Sequence, residues 1–196
     1  MPGASRTKQI LAESLKDLMR KMPLEKISVS DIVEHAEIGR NTFYYHFQDK
    51  YDLVNWIFQS ESARFFDERV TRENWNSSLE SLEAYFSENR EFYCNALNYT
   101  GQNSLQDYLF EMFSDLVVQQ IQEMQQEAGP RYSQEELRFT GDFIASAVLG
   151  LLVRWAREGM KVVPGNYRRC VRGICDGSLI RAYLDFEEQN RPNDEP

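Results

Sequence analysis

The stretch VSDIVEHAEIGRNTFYYHFQDK, Val29 to Lys50, decides the fold. It is preceded by Ser28, and Asp31 stands three residues further on. In such a pair each side chain satisfies the other residue's backbone N–H, which marks a helix start. A short helix is therefore expected over Ser30 to Ala36. Glu37, Ile38 and Gly39 then make a tight turn, and a second short helix begins near Arg40. Ile32, Val33, Ala36, Ile38 and Phe43 fall where they can close an apolar elbow. This is the helix-turn-helix arrangement, whose second helix enters the DNA major groove. That groove, about 12 Å wide, admits one helix.

The content of the second helix agrees. Arg40, Asn41 and Thr42 sit at its N-terminal end, where base edges are reached. Arginine pairs with guanine and asparagine with adenine, each through two hydrogen bonds. Tyr44, Tyr45 and His46 supply hydroxyl and imidazole groups for phosphates. Asp49 suits the N-cap of a long helix running from Lys50 into the Arg69 region. Lys50 lies where free N–H groups and the helix dipole favour an anion. Ser28 and Ser30 complete the expected DNA-contact set.

The run Thr42-Phe43-Tyr44-Tyr45-His46-Phe47, then Lys50 and Leu53, resembles the signature of the TetR family of bacterial transcriptional regulators. Upstream, Val29-x-x-Ile32-x-x-x-Ala36 matches as well, and the resemblance covers about residues 8–55. It implies an all-helical homodimer with an N-terminal DNA-binding domain and a C-terminal domain for dimerisation and ligand binding. It implies that Arg40, Asn41, Thr42 and Tyr44 read bases or nearby backbone, and that Tyr45, His46 and Lys50 hold phosphates. The family usually has glycine where this chain has Glu37. Further on, Asn89-Arg90-Glu91-Phe92-Tyr93, Gly101-Gln102-Asn103-Ser104 and Phe143-Ile144-Ala145-Ser146, leading to Trp155 and Gly159-Met160, resemble one subgroup. That subgroup resembles the dihydroxyacetone-kinase operon regulators, and the resemblance implies that some members with this C-terminal region act through a protein partner.

Outside this stretch, helical periodicity dominates. Leu11, Leu15, Leu18 and Met22 stripe a first helix that Pro23 stops. Leu79, Leu82 and Phe86 make another face, and Asn89 is placed to cap a short helix through Phe92 and Ala96. A longer helix carries Leu105, Leu109, Met112, Leu116, Ile121 and Met124 and ends before Gly129-Pro130. Ser133 with Glu136 opens a helix to about Gly159. A last helix follows Pro164-Gly165. The expected fold is all-α, with about nine helices. Its organisation is a DNA-binding domain over 1–50, a connecting helix over 50–69, an effector and dimerisation domain over 70–187, and a disordered tail over 188–196.

The helix over 133–159 is apolar all round between Asp142 and Arg154, so something must surround it. It is either a central core helix or a dimer seam, and the seam is the favoured reading. Gly141, Ala145, Ala147 and Gly150 would let another backbone approach. Phe143, Ala147, Gly150, Leu151 and Ile174 are the expected dimer residues. Phe86, Tyr93, Tyr108, Phe113 and Trp155 are the expected ligand contacts, although aromatics at helical spacing also simply make core. The linker Asn98 to Ser104 reads as a mobile gate or as a plain loop.

Composition bounds the function. The 196 residues carry a net charge of −9, with 42% hydrophobic and 27% charged residues, ordinary for a globular protein. Residues 1–50 hold eight Lys/Arg against seven Asp/Glu, and the remainder fourteen against twenty-four. A phosphate-binding surface is therefore expected at the N-terminal end only. The longest uncharged apolar run, Phe143 to Val153, is eleven residues, short of the ~20 that span a bilayer. With no secretory signal, a cytoplasmic protein with free cysteines and no membrane partner is expected. Two histidines and one C-x4-C pair provide neither a metal set nor a catalytic triad, so no metal, no cofactor and no enzymatic activity are expected. The leading expectation is a ligand-responsive repressor that binds a near-palindromic DNA operator as a homodimer. The alternative is a co-regulator of the same fold acting mainly through a partner protein.

Overall fold

The computed structural model describes residues 2–66, 75–128, 132–162, 165–175 and 177–190. Among them are ten helices and no strand: α1 (Pro2–Met19), α2 (Val29–His35), α3 (Arg40–His46), α4 (Lys50–Phe66), α5 (Trp75–Glu88), α6 (Arg90–Asn98), α7 (Leu105–Ala128), α8 (Gln134–Arg157), α9 (Gly165–Cys175) and α10 (Ser178–Asn190). A 3-10 turn over Leu24–Lys26 links α1 to α2. The expected course of α4 over 67–69, the Gly129-Pro130 stop, Pro164 and the tail 191–196 lie outside the described residues.

The count exceeds nine because the expected last helix is two. Gly177 takes a left-handed φ of 71° and donates its N–H to the Ile174 carbonyl at 3.0 Å, which closes α9. Its own carbonyl then accepts from Arg181 N at 3.0 Å as α10 begins. Glycine adopts that conformation without the Cβ clash other residues meet. α10 runs to Asn190, past residue 188 where order was expected to end.

Both expected capping boxes form. Asp31 N donates to Ser28 Oγ at 3.1 Å, and Ser28 N donates back to Asp31 Oδ2 at 2.7 Å. Glu136 N donates to Ser133 Oγ at 3.3 Å, and Ser133 N to Glu136 Oε2 at 2.6 Å. Asn89 does stand before α6, but its side chain makes no cap; its Nδ2 donates backwards to the Tyr85 carbonyl.

The turn between α2 and α3 has its own geometry. Glu37 sits at φ 54°. Its N–H donates to the Glu34 carbonyl at 3.2 Å, and Ile38 N donates to the Val33 carbonyl at 2.9 Å. This double closure is the Schellman helix ending, which normally has glycine at the left-handed position. α8 ends the same way with Gly159, at φ 81°. Glu37 therefore supplies the turn that the family builds with glycine, at a steric cost.

One apolar core runs from α1 to α8. Leu11, Leu15, Ile32, Phe43, Leu53, Ile57, Tyr93, Leu97 and Leu109 are completely buried within it. A second, smaller cluster joins Val117, Ile121, Leu137 and Ile144 to Ile180 and Leu184 of α10. α8 packs mainly along α7, and Gly141 sets their approach. A Cβ there would lie 2.7 Å from Ser114 Oγ and 2.9 Å from the Ser114 carbonyl oxygen. By length and composition α8 would suffice to cross a membrane. It nevertheless carries Asp142, which accepts from Ser114 Oγ at 2.7 Å and faces Arg138 Nε at 3.1 Å.

Two substitutions test this account. Glu37→Gly removes a left-handed side chain that costs roughly 1–2 kcal/mol, less the extra freedom glycine gives the unfolded chain. It is expected to raise stability in a urea titration. Gly141→Ala would normally favour a helix interior. Here the methyl meets backbone, so overpacking of about 1–3 kcal/mol is expected to lower the urea midpoint.

Candidate nucleic-acid interface

α3 has seven residues, too few to persist alone. Packing holds it in place. Phe43 is fully buried and Phe47, at its C-terminal cap, is nearly so. Their rings lie 5.8 Å apart, and Phe47 in turn meets Trp56 of α4 edge-on at 5.8 Å. Lys8 of α1 places its ammonium over both the Phe47 and Trp56 rings. Anchored on this side, α3 turns Arg40, Asn41, Thr42, Tyr44 and Tyr45 to solvent, and His46 is half-buried. Tyr45 is 81% exposed, far more than a tyrosine with only a packing role needs.

The exposed groups are arranged rather than loose. Arg40 Nη2 donates to Tyr44 Oη at 3.3 Å, one helical turn on, and its guanidinium lies over the Tyr44 ring. Tyr45 and His46 meet edge to face at 4.9 Å. The face thus presents one cation, one amide, three hydroxyls and an imidazole, the groups that contact base edges and phosphates.

Lys50 already has partners in this structure. Its ammonium has three protons, and three backbone carbonyls accept them: Leu24 at 2.7 Å, Glu25 at 3.0 Å and Ile27 at 2.6 Å. Lys50 thus closes the 3-10 turn from below, with all three of its donors engaged in this structure. Burial pushes its pKa down, with Glu25, Asp49 and Asp31 acting the other way. Ser28 is likewise occupied, since its hydroxyl both accepts from Asp31 N and donates to the Asp31 carboxylate. The backbone N–H of Ser28 holds the Asp31 carboxyl below its ordinary value. That cap is complete at neutral pH and is lost as pH falls through the lowered value. Ser30 is exposed on the first turn of α2.

The expected ligand residues fall in one place. Phe86, Tyr93 and Trp155 are buried, with Tyr108 and Phe113 half-buried around them. Phe86 meets Tyr93 at 4.6 Å and Trp155 at 6.3 Å. Phe58 of α4, which the sequence reading did not single out, joins Tyr108, Tyr93 and Phe86. The Trp155 Nε1 proton is buried without a hydrogen-bond partner. Beside the cluster, Lys16 of α1 reaches Glu61 of α4 at 2.5 Å. Tyr85 donates to the same carboxylate and shares a 2.7 Å bond with Tyr93. Lysine and carboxylate here stand 45 residues apart, so no local pattern announces the pair.

The expected dimer residues divide. Phe143, Ala147 and Gly150 are exposed, and nothing lies within 4 Å of a Cβ built on Gly150. Leu151 and Ile174 are half-buried. Gly141 and Ala145, expected to admit another backbone, are buried, and Gly141 packs inward on α7. Phe139, Leu179 and Phe186 extend the exposed apolar face at 62%, 42% and 60% exposure. The four-residue step from Phe139 to Phe143 was the available signal. Among the described residues no group of three or more His, Cys, Asp or Glu is placed to hold a metal.

Comparison with known proteins agrees with this geometry. Residues 13–57 match the bacterial regulatory proteins of the tetR family. Residues 73–168 match a transcriptional regulator C-terminal region of the TetR type. Over 160 residues the chain is 28% identical to the HTH-type dhaKLM operon transcriptional activator DhaS of Lactococcus lactis subsp. lactis (strain IL1403), covering 82% of this chain and 81% of that protein. A solved structure of the dihydroxyacetone kinase operon activator DhaS superposes with a TM-score of 0.58 at 26% identity, over 89% of this chain and 97% of that one. Thermus thermophilus FadR, a TetR-family repressor solved with lauroyl-CoA, shares the fold with a TM-score of 0.55 at 15% identity, over 96% and 98% of the two chains. With its helix-turn-helix and its C-terminal helices both matched, the chain belongs to the TetR family of bacterial transcriptional regulators.

Proposed function

We propose that this protein is a ligand-responsive regulator that binds a near-palindromic operator as a homodimer and reads each half-site with α3. The observation that carries the reading is the rigid seating of α3. Phe43 and Phe47 are buried while Arg40, Asn41, Thr42, Tyr44 and Tyr45 are exposed on the same seven-residue helix and its rim. Two recognition helices related by a two-fold axis meet half-sites about one helical turn apart.

The dimer is read from α8 and α10. Phe139, Phe143, Ala147 and Gly150 of α8, with Leu179 and Phe186 of α10, leave an apolar face uncovered. Phe143 stacks on Tyr183 at 5.2 Å, which ties the two helices into one surface. A second copy of the chain covers such a face and forms a four-helix seam. The ligand reading rests on the aromatic cluster. Its unpaired Trp155 indole N–H is a donor that a ligand's acceptor would satisfy, beside mainly aromatic side chains. The protein works in the cytoplasm, where its operator is.

Two signs of regulation follow from one binding mode. A dimer whose operator overlaps a promoter blocks polymerase and is a repressor. Activation is favoured by a specific observation: the relative matched over 82% of this chain is named an activator. A reporter fused to the region upstream of the protein's own gene separates them, since deleting the protein raises expression under repression and lowers it under activation. If DNA binding is absent and a stoichiometric complex with a second protein forms instead, the co-regulator reading replaces both.

Arg40→Ala and Asn41→Ala are each expected to cost about 1–3 kcal/mol in operator affinity and to relax base preference, measured by titration with labelled duplexes. Lys50→Met is expected to lower thermal stability, because three carbonyls lose their donor, while the dependence of DNA affinity on salt keeps its slope. A slope reduced by one phosphate's share would return Lys50 to the DNA. Ala147→Glu is expected to halve the sedimentation mass at micromolar concentration, because it buries an unpaired charge in the seam.

A further inference from the structure

We propose that Tyr99, Gly101 and Asn103, in the turn between α6 and α7, set the half-site spacing this regulator accepts by latching the C-terminal helices directly onto the base of the recognition helix. The inference rests on the DNA-binding reading above and adds residues that no DNA contact would reveal.

The turn is docked against α4. The Tyr99 ring stacks on Tyr51 with centroids 4.2 Å apart and planes 9° apart. Asn103 adopts a left-handed φ of 58°. In that conformation its Nδ2 donates to Asp49 Oδ2 at 3.3 Å, and its carbonyl accepts from Asn55 Nδ2 at 3.4 Å. The other oxygen of Asp49 caps α4, accepting from Tyr51 N and Asp52 N, both at 2.8 Å. One carboxylate thus serves the start of α4 and the latch together. Only Gln48 separates it from Phe47, whose N–H closes α3 on the Phe43 carbonyl at 2.9 Å. A displacement at Asn103 reaches α3 through three residues rather than along the whole of α4.

Gly101 makes the stack possible. A Cβ at this position would lie 2.1 Å from Tyr99 Oη and 2.4 Å from its Cζ. Any side chain there drives the phenol off Tyr51. The latch is also weakly made. Its two hydrogen bonds are near the long limit for such contacts, and Asn55 Oδ1 is buried with no partner. A firmer joint lies one turn earlier on α6. Asn95 Oδ1 accepts from Leu24 N at 2.8 Å, and its Nδ2 donates to the Met19 and Met22 carbonyls, both at 2.9 Å. Asn95 acts as a pivot, and the 99–103 turn fixes the angle about it. In a dimer, that angle on each side determines how far apart the two α3 helices stand.

The test uses the full-length chain and a duplex library with randomised half-sites and variable spacers. The wild type is expected to enrich one spacing about tenfold over its neighbours. Gly101→Ala and Asn103→Gly, the latter keeping the left-handed backbone, are expected to enrich adjacent spacings almost equally with the half-site sequence unchanged. Thr100→Ala, exposed beside the latch, is expected to match the wild type. Without DNA, exchange of the Phe47 to Leu53 amides is expected to speed up about tenfold in the two latch variants. If both variants remain folded dimers with wild-type spacing preference and exchange, the proposal is overturned. If the wild type enriches no sequence, the DNA-binding reading fails, and amide exchange alone decides whether the latch exists.

Discussion

Seven residues cannot hold an α-helix together in water, because too few hydrogen bonds repay its nucleation. α3 is that short, and it carries every group proposed to read bases. The fold around it can be read as a means of keeping it helical and aimed. Phe43 and Phe47 fasten it from beneath. The left-handed Glu37 turn sets its entry, and Asp49 starts α4 directly behind it. α1 lays Lys8 across the aromatic floor. No side chain caps its N-terminus, where Gly39 stands, so its first turn remains open toward solvent.

What was legible in the sequence was what is local. The Ser28–Asp31 and Ser133–Glu136 boxes close over three residues, so spacing alone identified both helix starts. Leu11 and Leu15 of the α1 stripe were readable for the same reason, whereas Met22, expected to continue it, lies past the end of the helix and is exposed. The carbonyls that Lys50 binds were not legible, because they belong to a 3-10 turn and its cap with no side-chain signature. A lysine near a helix N-terminus looks the same in sequence whether it faces phosphate or backbone. Gly177 was visible as a glycine, yet the apolar spacing across it let two helices pass for one. Asn95 and the Lys16–Glu61–Tyr85–Tyr93 chain were invisible, since their partners come from distant parts of the chain.

Among the described residues α4 is the continuous element that leaves the N-terminal helices, where the sequence led to the expectation of a connecting helix. The structure adds α6 as a second connection, made by the Asn95 side chain to backbone groups at the end of α1 and the 3-10 turn. Trp56 of α4 faces Phe47 and Lys8 and so belongs to the floor of α3. Phe58, two residues on, belongs to the aromatic cluster. α4 therefore has one face in each half of the molecule, and α6 grips the corner between them. The same arrangement explains the continuous core from α1 to α8.

The Asn95 amide also orders events during synthesis. It binds Met19, Met22 and Leu24, residues 71 to 76 positions earlier in the chain. The corner between α1 and the 3-10 turn stays unfinished until that distant amide has been made and released. At about 5–20 residues per second, the N-terminal helices wait several seconds on the ribosome with Leu24 N–H and two carbonyls unpaired. The first corner of the N-terminal helices is thus closed by a residue made after all four of them, although the Ser28–Asp31 cap and the Phe43–Phe47 contact within them are local.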